Sequence, residues 1–296
     1  MRIKNVIEKD EITAFDGCFV ALGRFDGLHI GHQAVINSGD GRRVVLSIDK
    51  TNGAQQILTR ERFLQRLQEL DVDAVISPDF RNICDMSPEE FVRDVLKNGI
   101  GAKKAACGYN FRFGKGASAN ADDLYRLCGK YDIECIVVPK VELDGEEISS
   151  SAIRRCLKNG EIEKAEKMLG AGYCWQLEVV KGRSLGRTLG TPTINQHFPQ
   201  NFFLPRFGVY ASQAVVGGEI KYSVTNIGIK PTVGSDAPLA ETWIPEYSGD
   251  LYGTNMEVRL LSFLRDERKF SSIEELRAAI HSDAERAKAI FDNLQK

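Results

Sequence analysis

No stretch of the 296-residue sequence approaches the roughly 18 apolar residues that a membrane helix needs. Met1 to Asp10 alternates charge with short apolar pieces and lacks the core of a signal peptide, so a cytoplasmic protein without a membrane partner is expected. Net charge is nearly absent as well. The 39 basic and 41 acidic residues leave −2, which argues against a bulk electrostatic grip on nucleic acid or anionic lipid. A local basic pocket for a small phosphate ligand stays open. No CxxC and no Cys/His cluster surrounds Cys18, Cys84, Cys107, Cys128, Cys135, Cys156 or Cys174, so reduced thiols are expected and a structural zinc is not. Internal repeats, low-complexity linkers and a Walker GxxxxGK[ST] run are also missing. What is present is an ordinary globular balance, 43% hydrophobic and 27% charged, in a chain long enough for about two domains.

The first part alternates strand and helix signals. Cys18–Leu22, Arg43–Ile48, Asp73–Ile76 and Cys135–Val138 read as strands. Arg60–Leu70 puts Phe63, Leu64, Leu67 and Leu70 on one helical face. Ser87, Pro88 and Glu90 form a capping box ahead of the stripe Phe91, Val92, Val95 and Leu96, with Gly99 as the stop. Ser150–Leu157 and Glu161–Leu169 read as two short helices. This alternation predicts a doubly wound, mostly parallel sheet of the Rossmann-like kind. From Trp175 to about Leu264 the signals are almost all strand. Val209–Val216 and Glu219–Val224 flank the hairpin turn Gly217-Gly218, and Met256–Phe263 follows. A small antiparallel β-barrel is expected there. A closing helix follows, capped by Ser272 and Glu275, with Leu276, Ile280, Ala284, Ala287 and Ile290 on one face. The expected division is 1–171 and 172–296.

Five segments could carry chemistry. Gly23-Arg24-Phe25-Asp26-Gly27-Leu28-His29-Ile30-Gly31-His32 follows a strand, and its glycines allow close backbone approach to a ligand. His29 and His32, at helical spacing, can contact nucleotide phosphates and stabilise charge on an α-phosphoryl group. The same residues also fit a glycine turn with two solvent-facing histidines. A zinc site would lack a third ligand. In Ile148–Arg154, Ser150 and its hydroxyl neighbours can cap a helix or donate to phosphate, and Arg154 can clamp one; an ordinary cap with a surface arginine fits equally. Gly108–Gly116, with Asn110, is a glycine-framed aromatic loop, fit for a nucleotide pocket or a surface turn. Gly182–Asn195 joins a basic glycine loop to Thr193 and Asn195, whose oxygens suit a magnesium–ATP complex; a hairpin loop is the alternative. Glu241-Thr242-Trp243, followed by Asp250–Gly253, offers a carboxylate able to take a proton from an attacking hydroxyl, or a solvated surface charge.

Taken together and in order, the segments resemble the prokaryotic bifunctional riboflavin kinase/FMN adenylyltransferase (FAD synthetase) family over nearly the whole chain. The likeness rests on GRFDGLHIGH, GYNFRFGKG, ISSSAIR and KNGEIEKAEKMLG, then on GRTLGTPTIN, LPRFGVYAS, TNIGIKPTVG, ETW…GDLYG and LRDERKFSSIEEL. It implies an HxGH nucleotidyltransferase-like domain that joins FMN to ATP, giving FAD and pyrophosphate. It also implies a kinase barrel that phosphorylates riboflavin. ATP, riboflavin and FMN are the implied small-molecule partners, with Mg²⁺. His29 and His32 would contact ATP phosphates, with Gly23, Phe25, Asp26 and Gly31 in the same nucleotide loop. Asn110 would position phosphates or metal, and Ser150 and Arg154 would hold the triphosphate end. In the kinase, Gly186, Arg187, Thr188 and Gly190 would cover the nucleotide, Thr193 and Asn195 would hold Mg²⁺, Glu241 would be the general base, and Arg265 would flank the flavin.

The sequence departs from the family pattern at four places. Gln33 to Arg42 is a short crossover, with room for a helix of a turn or two. Ser47 to Asn52 replaces a usual Phe/Pro-rich segment, Glu147 a usual basic residue, and Thr191 a usual Phe. A riboflavin kinase with a weakened or altered N-terminal module is the alternative reading. A non-catalytic flavin or nucleotide sensor is a third.

Overall fold

The computed structural model describes residues 6–48, 55–182, 190–229 and 237–295. Contacts divide the chain into two units. The first comprises Met1–Ala54 with Phe63–Ser150, and the second Gln55–Arg62 with Ser151–Lys296.

The first unit is built on six parallel strands: β1 (Ile7–Lys9), β2 (Cys18–Gly23), β3 (Arg43–Ser47), β4 (Ala74–Ile76), β5 (Ala102–Gly108) and β6 (Glu134–Val138). Their order is β1-β4-β3-β2-β5-β6. The middle strands are runs of small and branched apolar residues, as a sheet covered on both faces requires. Cys18–Leu22, Val44–Leu46, Ala74–Ile76 and Ala105–Cys107 are buried. The order reverses at β2, which has β3 on one side and β5 on the other. The carboxyl ends of β2 and β5 therefore frame a topological switch point, where open α/β sheets bind ligands.

The crossover after β2 is α1 (Ile30–Ile36), two turns long as the short spacing predicts. Next comes α2 (Arg60–Glu69), which belongs to this unit from Phe63 onwards. The capping box at Ser87 is formed: its Oγ accepts from the Glu90 N–H at 3.2 Å, and the Glu90 carboxylate accepts from the Ser87 N–H at 2.8 Å. It opens α3, Pro88–Glu90 continued by the wider i→i+5 turns of Phe91–Ile100. That helix ends at Gly101, in the left-handed region at φ +78°, and not at Gly99. Gly99 instead lies against Ile12 and the Asp94 carbonyl, where a Cβ would collide. Then come α4 (Ala121–Lys130) and a two-stranded hairpin, β7 (Glu142–Leu143) and β8 (Glu146–Glu147).

The second unit holds α5 (Ser150–Asn159, from its second residue) and α6 (Ile162–Leu169), each followed by a glycine with positive φ. Six antiparallel strands follow: β9 (Cys174–Glu178), β10 (Thr193–His197), β11 (Gly208–Val216), β12 (Glu219–Ile229), β13 (Pro238–Trp243) and β14 (Asn255–Arg265). They run in the order β10-β13-β12-β11-β14-β9. A bridge between Val180 and Asn195, with the Val180 N–H donating to the Asn195 carbonyl at 2.8 Å, joins the two ends into a nearly closed barrel. One face packs on α7 (Ile273–Leu294), where Ala284 and Ala287 meet Val209, Ala211, Val224, Trp243, Leu261 and Leu264. The cap of α7 differs in detail from the expected box. Ser272 Oγ accepts from the Glu275 N–H, but the Glu275 carboxylate accepts from the N–H and Oγ of Ser271.

The contacts place residues 151–171 with the barrel, whereas the expected division put them with the first domain. Glu166 of α6 accepts two hydrogen bonds from Arg259 of β14, at 2.8 and 2.7 Å. Gly160 lies against Phe263, and the Arg206 N–H donates to the Leu157 carbonyl. Sequence periodicity identifies both helices but carries no record of the surface they pack on.

Candidate functional site

In the first unit, Gly23 ends β2 and the chain turns sharply through Phe25, Gly27 and Leu28, all at positive φ. Phe25 and Leu28 are non-glycine residues there, a backbone cost met typically at ligand loops. Both side chains are buried and hold the turn. The Phe25 ring lies over Gly23 and packs on His32, with centroids 5.2 Å apart.

His29 is the N-cap of α1. Its Nδ1 accepts from the His32 N–H at 3.3 Å. An imidazole that accepts at Nδ1 carries its proton on Nε2, so His29 presents an Nε2–H donor. Its ring stacks on His32 at 3.6 Å between centroids. Burial pushes His29 down to about 4. His32 falls well below its ordinary value, first through burial and then through His29 beside it. The site therefore holds two neutral imidazoles at neutral pH. His32 Nδ1 is buried with no hydrogen-bond partner. A Cβ at Gly31 would stand 3.1 Å from His29 Nδ1, so glycine leaves that ring its place. The loop is packed in this way, and the solvent-facing alternative does not describe His29, which is only 6% exposed.

One further segment reaches this loop. Ser150 Oγ, at the end of the first unit, donates to the Asp26 carbonyl at 2.8 Å. That bond occupies the only donor of the hydroxyl. Asn110 follows β5 at the other lip of the switch point, exposed, in a turn closed by the Phe111 N–H donating to Gly108. Beside it, Tyr109 OH donates to Glu147 of β8. Arg154 belongs to the second unit. Its guanidinium donates to the Gln55 carbonyl at 2.8 Å and lies 5.3 Å over the Phe203 ring.

In the barrel, Thr193 and Asn195 alternate onto one face of β10. Asn195 is the direct cross-strand partner of Glu241 on β13, and Thr193 of Trp243. Directly opposed residues on antiparallel strands stand about 4.5–5.5 Å apart at Cα and share a face. Thr193 and Asn195 also line a cavity of about 60 Å³ with Val179, Tyr247, Asp250 and Tyr252. A hydroxyl, an amide oxygen and a carboxylate are hard oxygen donors of the kind that Mg²⁺ accepts. Among the described residues no cluster of three or more His, Cys, Asp or Glu could hold a metal by itself. The donor set thus fits an ion that completes its shell with phosphate and water. Gly190 is exposed at φ +75° ahead of buried Thr191. Gly186, Arg187 and Thr188 lie outside the described residues. Arg265, at the end of β14, donates to Asp283 of α7 at 2.9 Å and lies 5.5 Å over Phe270.

Sequence reasoning passed over Asn226 on β12, which faces Glu241 from the side opposite Asn195. Its signal was the glycine-punctuated strand Thr225-Asn226-Ile227-Gly228.

Comparison with known proteins agrees with both halves. A riboflavin kinase family model matches residues 169–291, and an FAD synthetase model matches 42–152. Bifunctional riboflavin kinase/FMN adenylyltransferases of Bacillus subtilis and Escherichia coli K12 are each 32% identical to this chain, covering 94% and 93% of it respectively and 93% of the relative in both cases. The Haemophilus influenzae protein of the same name is 31% identical over 94% of this chain and 95% of its own. A crystal structure described as a macrolide-efflux protein from Streptococcus pneumoniae has a TM-score of 0.86 at 26% identity, covering 96% of this chain and 99% of that one. With the switch-point loop and the Asn195–Glu241 ladder in place, these likenesses settle the family: the chain is a member of the bifunctional riboflavin kinase/FMN adenylyltransferases.

Proposed function

We propose that this bifunctional riboflavin kinase/FMN adenylyltransferase runs its two reactions at separate sites, with phosphorylation at the Thr193–Asn195–Glu241 ladder and adenylylation at the His29–His32 loop. The observation that carries the reading is the pairing of Asn195 with Glu241. It sets a proton acceptor one strand away from the oxygens that take a metal–phosphate.

In the kinase step Glu241 takes the proton of the ribityl 5′-hydroxyl, and the oxygen attacks the γ-phosphorus of ATP, with ADP leaving. Thr193 and Asn195 are the residues that would hold Mg²⁺. The ion, when bound, would neutralise charge on the phosphate oxygens. Arg265, fixed by Asp283, flanks the flavin. Gly190 and the preceding Gly186, Arg187 and Thr188 cover the nucleotide. In the adenylyl step a phosphate oxygen of FMN attacks the α-phosphorus of ATP and pyrophosphate leaves. His29 Nε2–H donates to phosphate oxygen as charge builds, and His32 supports it through the stacked ring. Gly23, Phe25, Asp26 and Gly31 shape the loop around the nucleotide. Asn110 orients phosphate, and Ser150, its hydroxyl proton given to Asp26, holds the loop that meets the triphosphate end. Adenylylation is assigned to the parallel-sheet unit and phosphorylation to the barrel unit, and seven free thiols support a cytoplasmic setting.

The test is a time course of purified protein with riboflavin, ATP and Mg²⁺, separating riboflavin, FMN and FAD. FMN that rises and then drains into FAD is expected. FMN alone selects the weakened-module reading, and no turnover with flavin still bound selects a sensor.

A further inference from the structure

Asn195, Glu241 and Asn226 form one row across β10, β13 and β12, each directly opposed to the next. The outer two are amides and the middle one is the carboxylate assigned as base. Asn195 answers to phosphate and metal, and nothing above gives Asn226 a task. Its Nδ2 donates to Glu267 Oε1 at 3.0 Å. A carboxylate only accepts, so this bond turns the amide nitrogen towards Glu267 and the amide oxygen away from it. That oxygen is buried and has no hydrogen-bond partner. Glu267 lies close over Gly228, the next residue on the same face, in space that any larger residue would fill. The arrangement fixes an acceptor beside the base and leaves it unanswered.

An acceptor cannot bind phosphate oxygen. It takes an O–H, an N–H or a cation; the cation is assigned to Thr193 and Asn195, and riboflavin offers both hydrogen-bond donors, along the ribityl chain and at the ring imide. If Glu241 holds the 5′-hydroxyl, a residue one ladder position away meets a hydroxyl further along the same chain, and the ring lies beyond it. We propose that Asn226 Oδ1 accepts a hydrogen bond from a ribityl hydroxyl and so selects the polyol chain, with Glu267 as the positioning residue that orients the amide. This rests on the kinase reading above.

The test measures flavin binding by fluorescence in the full chain with ADP and Mg²⁺, comparing riboflavin with lumiflavin, which has the ring and no ribityl chain. Asn226→Ala should weaken riboflavin binding about tenfold, the size of one lost hydrogen bond in a buried site, and leave lumiflavin binding unchanged. In turnover, KM for riboflavin should rise more than kcat falls. Unchanged riboflavin binding overturns the proposal, since water then satisfies the oxygen. Equal weakening of lumiflavin also overturns it, by assigning Asn226 to the ring or to the pocket wall. Intact lumiflavin binding shows that the variant is folded. A wild-type protein that binds riboflavin without turning it over sinks the kinase reading alone, and one that binds no riboflavin sinks both.

Discussion

Two neutral imidazoles stacked in a packed loop are poised to respond to charge. Burial holds His29 near 4 and His32 below its ordinary value. On the proposed assignment, ATP phosphates at those rings favour the charged form and raise both pKa values. Binding of ATP to the first unit should therefore take up protons on the acid side of neutrality, just above the free value of about 4 for His29. Calorimetry in buffers of different ionisation enthalpy reads this directly, and His29→Ala should reduce the uptake. The same substitution should slow FAD formation by about 10²–10³-fold, as removal of one transition-state donor does elsewhere. Stability has a sign as well. With the folded pKa below the unfolded one, the unfolded chain binds more protons between about pH 6.5 and 4. The contribution of His29 should then fall by about 3 kcal/mol as pH drops through that window, with His32 acting in the same direction, seen as a falling melting temperature of the ligand-free protein that His29→Ala makes shallower.

The elements show what a sequence can and cannot record. Gly217 and Gly218 sit at φ +59° and +87°, the left-handed pair that a two-residue hairpin demands. This turn was legible because its chemistry is local. No atom crowds either residue, so Gly218→Ala tests backbone strain alone. It should cost the barrel about 1–2 kcal/mol in a denaturant titration, with riboflavin KM unchanged. The capping box at Ser87 and the two-turn α1 were legible for the same reason. The stop of α3 was not, because Gly99 answers to Ile12, a residue remote in sequence. Nor was the packing of α6 against β14, which depends on the pair Glu166–Arg259. Among site residues, His29, His32, Thr193, Asn195 and Glu241 stood out through their motifs. Asn226 did not, because only strand register brings it opposite Glu241.

At the scale of the whole molecule, two units with their own sheets carry two different sets of candidate site residues. In the first, side chains gather at the reversal of a parallel sheet, where strand ends leave backbone and loops free for a ligand. In the second, they line up across three strands, so their spacing is set by the ladder and resists drift. The barrel interior adds to that rigidity. Ser212 hydrogen-bonds to Ser223 and Thr225, and Thr225 to Thr242, at 2.7, 2.8 and 2.9 Å, all buried. Thr242 is the immediate neighbour of Glu241 in the chain and faces the other way. Thr225→Val breaks two of these bonds and should lower barrel stability by about 1–3 kcal/mol, measured by thermal unfolding.

The most direct measurement is a pair of assays on Glu241→Ala: riboflavin with ATP and Mg²⁺ in one, FMN with ATP and Mg²⁺ in the other. Phosphorylation should disappear while conversion of supplied FMN to FAD continues near the wild-type rate. Loss of both reactions in a variant that melts like the wild type would contradict two separate sites.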